Sequence, residues 1–162
     1  MSSSLELVSR GADETHAIGF RLGLTAKAGH VILMTGELGT GKTTMAQGIA
    51  EGLGVAERPR SPTFVMATEY MGRLPFYHLD LYRVEQVAEL SEIGLDEYVS
   101  AQGVTVIEWA DKAPEMFLSG CLWISLYSSN EETRQIKMIA NGSRHRTFID
   151  YLQGLNPTPG DD

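Results

Sequence analysis

The 162-residue sequence contains one cysteine, Cys121, so no internal disulfide can form. A reducing compartment, the cytoplasm, is the expected home. Long apolar runs are also missing. The opening MSSSLELVSRGADETH has no apolar core of the signal-peptide kind, and Val31 to Met34 is far too short to span a bilayer. No membrane role is expected. Positive charge is scarce: 13 Lys and Arg stand against 21 Asp and Glu, a net charge of −8. That balance argues against a broad, direct grip on nucleic acid, which normally needs a clustered basic face, and leaves open an RNA-linked role in which a partner holds the nucleic acid. Two small basic clusters, Arg58 with Arg60 and Arg144-His145-Arg146, read as solvated surface charge. Repeats and low-complexity blocks are absent. What remains is a globular composition, 43% hydrophobic and 21% charged, expected to form one domain over residues 1–155 with a flexible tail at 156–162.

The pattern alternates helix and strand. A first helix is expected from Asp13, as N-cap, to Ala28. VILMT follows as a strand buried on both faces, then a glycine loop, then a helix from Lys42 that Gly54 can end. Phe64 to Tyr70 and Leu74 to Leu81, joined by Met-Gly-Arg, read as two antiparallel strands. Val84 to Tyr98 reads as a helix broken at Gly94, and VTVIEW as a second buried strand parallel to the first. CLWISLYS and TRQIKMIA alternate as an edge pair, Asn141-Gly142 marks a turn, and His145 to Leu152 a last helix. The fold class predicted is α/β, three-layered, with a mixed sheet between helices.

The stretch GELGTGKTT, Gly36 to Thr44, fits G-x-x-x-x-G-K-[ST] at every fixed position. Glycines let successive backbone N–H groups turn inward and form an anion-binding nest, and the following helix presents its positive end. Lys42 is expected to reach terminal phosphates, and the Thr43 hydroxyl to ligate an accompanying magnesium. A strand before and a helix after are what the mechanism demands. A guanine-reading Asn-Lys-x-Asp is absent; Asp111-Lys112-Ala113-Pro114 comes nearest, so ATP is the expected nucleotide.

Such a loop needs an acid at the end of a neighbouring strand, to position the metal or polarise water. Asp80, in HLDLYR, and Glu108, closing VTVI, are the candidates. Spacing does not divide the two roles between them. Ser61-Pro62-Thr63-Phe64 reads either as a switch-like hydroxyl segment or as an ordinary turn into a strand. Trp109 and His78 read as core residues first.

Taken in order, GELGTGKTT, SPTF, YHLDLYR, EIGLDEY and VIEWADK resemble the TsaE (formerly YjeE) family, the small bacterial ATPases needed to make threonylcarbamoyladenosine in tRNA. The likeness covers roughly Asp13 to Ala140, weakening into TRQIKMIA. It implies a P-loop domain holding ATP and magnesium along Gly36, Glu37, Leu38, Gly39, Thr40, Gly41, Lys42, Thr43 and Thr44. It implies Lys42 on phosphate, Thr43 on metal, and Asp80 and Glu108 in the shell of metal and water. Thr63 matches the family's switch-like threonine, Thr15 falls near the adenine, Trp109 matches the aromatic beside the catalytic acid, and Arg134 aligns loosely. The implied partners are TsaD and TsaB, which transfer the carbamoyl group, so tRNA would be reached only through that complex.

The alternative is a P-loop small-molecule kinase of similar length. Kinases of that kind carry an arginine-bearing lid, whereas Ala113 to Ala140 holds one arginine, Arg134. Arg83 and Arg134 are the candidates for an arginine finger.

Overall fold

The computed structural model describes residues 2–59, 67–86, 88–92, 94–99, 102–114, 117 and 120–154. Its centre is parallel because two apolar runs, β2 (Val31–Thr35) and β5 (Val104–Glu108), have no polar face to turn to water. β4 (Pro75–Asp80) joins β5 in parallel on one side, and β6 (Cys121–Ser128) joins β2 in parallel on the other. Antiparallel strands complete both flanks: β3 (Ala67–Met71) beside β4, and β7 (Arg134–Asn141) beside β6. A strand from the N-terminus, β1 (Ser2–Ser9), closes the row, giving the order β1-β7-β6-β2-β5-β4-β3.

Helices cover both faces. Alternation along the strands sends Ile32, Met34 and Val106 to the face packed by α1 (Ala12–Thr25), α2 (Lys42–Gly52) and α5 (Ser143–Leu152). Leu33, Leu79 and Ile107 point the other way, into a second core with Leu90 of α3 (Ala88–Glu92) and Leu95 of α4 (Leu95–Val99). The mixed sheet with parallel core and antiparallel strands between helices is thus the expected α/β arrangement. Among the described residues no helix is long and apolar enough to cross a membrane.

The helix carrying the glycine loop is held to α1 by close backbone contact as well as by side chains such as the His16–Glu51 pair at 2.9 Å. A Cβ on Gly23 would lie 2.2 Å from the Ile49 carbonyl oxygen, and one on Gly48 would lie 2.2 Å from that of His16. Glycine spaced by four on each helix (Gly19 and Gly23, Gly48 and Gly52) lets the two backbones touch.

Several expectations shift. α1 starts one residue before Asp13, with Gly11 at the N-cap and no side-chain cap, and it ends at Thr25 because Ala26 is extended. β5 stops at Glu108, since Trp109 takes a left-handed φ of 59°. β6 and β7 are a hairpin but not an edge: β2 flanks one and β1 the other. β1 had no counterpart in the sequence reading, its alternation being short and diluted by serine. The helix expected across Val84 to Tyr98 is two short ones, broken at Gly94 (φ +74°) as foreseen. The SPTF segment, including Thr63, and the tail from residue 155 lie outside the described residues.

Two histidines staple α5 to the start of β2. His30 Nδ1 accepts the Lys27 amide at 2.9 Å while its Nε2 donates to the Arg144 carbonyl of α5 at 3.2 Å, and His145 Nε2 accepts the Val31 amide at 2.9 Å. Protonation would destroy both acceptors. Burial, aided by the neighbouring Arg144 charge, holds each pKa down at about 4 against 6.5. Because the folded pKa is the lower one, the unfolded chain takes up protons first, so this stability is complete above pH 6.5 and drains away toward pH 4.

Two outcomes follow from this packing. Chemical denaturation at pH 7 and pH 5 should show a loss of roughly 2–3 kcal/mol from the histidine pair, after discounting for solvent screening; the pH slope should shrink in His30→Gln. Gly48→Ala should gain about 0.5–1 kcal/mol of helix propensity yet lose about 1–3 kcal/mol to overpacking, lowering thermal stability.

Candidate active site

β2 delivers the chain into the loop 36–41 and α2 takes it away, so the loop sits at the carboxyl end of the parallel strands. That end is where open α/β sheets bind ligands. Gly39 (φ +80°) and Gly41 (φ +105°) adopt backbone that other residues resist. Between them Thr40 folds back, its hydroxyl donating to the Glu37 carbonyl at 2.8 Å. Gly41 caps α2 without a side-chain hydrogen bond, leaving the helix start open to an anion.

Neighbouring elements hold this loop. From β7, Arg134 donates through Nε to the Thr40 carbonyl and through a second nitrogen to that of Gly39, both at 3.2 Å. The same guanidinium grips its own hairpin through the carbonyls of Asn130 and Thr133. Thr15, buried in the first turn of α1, shares a 2.6 Å hydrogen bond with the Ser9 hydroxyl. Its methyl carbon stands 3.4 Å from where a Cβ on Gly41 would be. Leu38 is 75% exposed at the rim.

The charged groups converge next to it. Lys42 Nζ donates to the carbonyls of Gly36 (2.6 Å) and Glu37 (2.9 Å) and stands 4.0 Å from the Trp109 ring centroid. Burial pushes its pKa down from the ordinary lysine value, while Glu108 foremost, then Asp80 and Asp111, pull the other way. The left-handed backbone at Trp109, the one non-glycine residue of positive φ among those described, presents the ring to the lysine. A bulky residue there is strained by about 1–3 kcal/mol, which is commoner at functional sites than elsewhere.

Register places the carboxylates side by side, Asp80 of β4 directly across from Glu108 of β5. The Thr43 hydroxyl lies 3.0 and 3.2 Å from the two Glu108 carboxylate oxygens. Glu108 is only 2% exposed. Asp80 accepts the Tyr82 amide at 2.9 Å. His78 belongs to the core, as expected, but its Nε2 also meets a Glu108 oxygen at 2.6 Å.

These groups open on a cleft of about 890 Å³. Thr15, Lys42, Thr43, Asp80, Glu108 and Trp109 line it, as do Leu38 to Gly41, Thr44 and Arg134. Gly36 and Glu37 stand behind, spending their carbonyls on Lys42. Sequence reasoning missed the walls: Arg10 and Glu14 ahead of Thr15, Tyr82 packed on Trp109 with centroids 4.9 Å apart, and Glu131 and Glu132 of the hairpin turn. Only topology brings those segments together. The missed role of His78 did have a signal, since in HLD the strand period of two sets residues 78 and 80 on one face.

Donors, an ammonium and paired carboxylates suit a polyanion accompanied by a hard cation. Among the described residues no three His, Cys, Asp or Glu side chains form a cluster able to hold a metal by themselves. Magnesium in phosphate sites does not require one: one or two protein oxygens plus the phosphates suffice.

Fold and site together define an α/β protein with a mixed seven-stranded sheet and a glycine-loop cleft at the carboxyl ends of its parallel strands. Residues 9–136 match the family described as "Threonylcarbamoyl adenosine biosynthesis protein TsaE". The tRNA threonylcarbamoyladenosine biosynthesis protein TsaE of Bacillus subtilis is 40% identical over 141 residues, spanning 86% of this chain and 88% of that one. Its counterpart from Treponema pallidum is 36% identical over 132 residues, 82% of this chain and 98% of the relative. The crystal structure of Bacillus subtilis YdiB superposes with a TM-score of 0.82 at 34% identity, covering 97% and 99% of the two chains. The chain belongs to the TsaE family.

If Arg134 is the clamp its contacts describe, Arg134→Ala should free the loop while sparing the core. Hydrogen exchange should then accelerate about tenfold or more at residues 38–41 and stay unchanged in β2 and β5.

Proposed function

We propose that this chain binds ATP with magnesium in the cleft and hydrolyses it as an accessory protein in forming threonylcarbamoyladenosine in tRNA, together with TsaB and TsaD. Family membership supports the pathway. One observation carries the chemistry: Lys42, Thr43, Asp80 and Glu108, from three separate segments, share one cleft beside the uncapped start of α2. Read as a P-loop, residues 37–43 supply backbone N–H groups to the phosphates, and Lys42 exchanges its carbonyl partners for phosphate oxygens. Thr43, with Asp80 or Glu108, would hold magnesium, which when bound would neutralise charge on the phosphates. Glu108, held from two sides, is suited to orient the attacking water.

The net charge of −8 fits a protein that meets tRNA only through its partners. A slow isolated enzyme is expected on a different ground: Ala113 to Ala140 holds one arginine and no Arg-rich segment, and an arginine finger is worth about 10³–10⁵ in rate. Arg83 and Arg134 both reach the cleft, yet Arg134 is already spent on loop carbonyls.

The deciding experiment is a pull-down against TsaB–TsaD with and without ATP, scored beside hydrolysis. Capture and partner-stimulated turnover are expected. Fast turnover by the chain alone, with no capture, would favour a small-molecule kinase. Glu108→Ala should keep nucleotide binding by calorimetry and lose hydrolysis; equal loss of both would remove Glu108 from the water-orienting role.

A further inference from the structure

The Glu108 carboxylate has two kinds of partner. Thr43 Oγ1 touches both its oxygens, at 3.0 and 3.2 Å, while His78 Nε2 approaches one of them at 2.6 Å. The first partner is conditional. Thr43 has one hydroxyl hydrogen, so it can donate to only one of those oxygens at a time, and if its lone pair serves a metal the side chain must also satisfy the metal's geometry. The second is built into the sheet. His78 pairs with Val106 across the parallel ladder, two residues before Glu108, so their side chains share a face as diagonal neighbours. His78 is fully buried, with Phe76 stacked 6.1 Å away.

The remaining ring nitrogen sharpens the case. A carboxylate accepts, so Nε2 must carry the hydrogen and donate. Nδ1 is buried and has no hydrogen-bond partner. A histidine retained only for packing would be better replaced by an apolar residue, since an unmet buried polar atom costs stability. What the imidazole supplies is one directed donor.

We propose that His78 is a positioning residue that fixes the Glu108 carboxylate whether or not Thr43 also serves a bound metal. This rests on the ATPase reading above. His78 is fully buried and is not among the residues that line the cleft. Its removal therefore acts on turnover and not on nucleotide affinity, as loss of a supporting hydrogen bond does elsewhere, by about 10–100-fold.

Single-turnover hydrolysis of ATP with magnesium and calorimetric ATP affinity would be measured on His78→Leu and His78→Gln. The glutamine amide nitrogen can stand near Nε2 and donate. Leu should lower the rate by about 10–100-fold with affinity within about threefold, and Gln should restore most of the rate. Wild-type rates in His78→Leu, or a Gln variant as slow as Leu, would overturn the proposal. A second readout needs no nucleotide. Long-range ¹H–¹⁵N spectra of the free protein should show His78 in the Nε2–H form with a hydrogen-bonded proton that disappears in Glu108→Ala. An Nδ1–H ring, or a signal indifferent to Glu108, would refute the contact itself. Should the wild-type chain prove unable to bind ATP, the ATPase reading falls and the spectra alone decide whether His78 holds Glu108.

Discussion

A carboxylate shut away from water must be given donors or give up its charge, and the site is organised by how Glu108 meets that demand. Its position at the end of β5 is forced by the buried run Val104 to Ile107, three of whose four residues are apolar. The register then puts Asp80 beside it and His78 diagonally behind it. Thr43 reaches it from the first turn of α2, so the glycine loop is tied to the neighbouring strand by the same carboxylate. Remove that charge, and α2, β4 and β5 lose the side chain that Thr43 and His78 both reach.

Lys42 shows the same logic with opposite sign. Its ammonium is largely withdrawn from solvent, which weakens its hold on a proton, but three acids around it restore part of that hold. Two loop carbonyls and the Trp109 face complete its surroundings. The Lys42 ammonium therefore does not wait bare in the cleft. A polyanion entering it would have to offer more than two carbonyls and a ring already provide, and several phosphate oxygens carrying charge do so. A weakly charged ligand would not, which is a form of selectivity built from internal hydrogen bonds.

Much of this was legible because it is local. The loop, the strand before it and the helix after it follow from glycine spacing and a five-residue apolar run, and the two acids from charges that close apolar strands. The β3–β4 hairpin and the break at Gly94 followed from turn residues. What the sequence concealed depends on distance. β1 pairs with β7 across most of the chain, and no local pattern announces that partner. The wall formed by Arg10, Glu131 and Glu132 exists only because β1 and the β6–β7 turn end at the same place. His78 looked like core because it is core; its second task appears only once Glu108 is set diagonally across from it.

The cleft walls differ in how firmly they are joined to the loop. On the α1 side, glycines at four-residue spacing put backbone against backbone, which leaves little room to slide or re-pack. On the hairpin side, the attachment is one guanidinium holding two loop carbonyls across half-exposed space. Covalent geometry and close packing thus fix α2 and the acids, whereas hydrogen bonds that water can replace fix the loop tip at residues 38–40. Any rearrangement on ligand entry has its cheapest route there, through Arg134 and the side chains of Lys42 and Thr43, with the strands and both long helices left where they are.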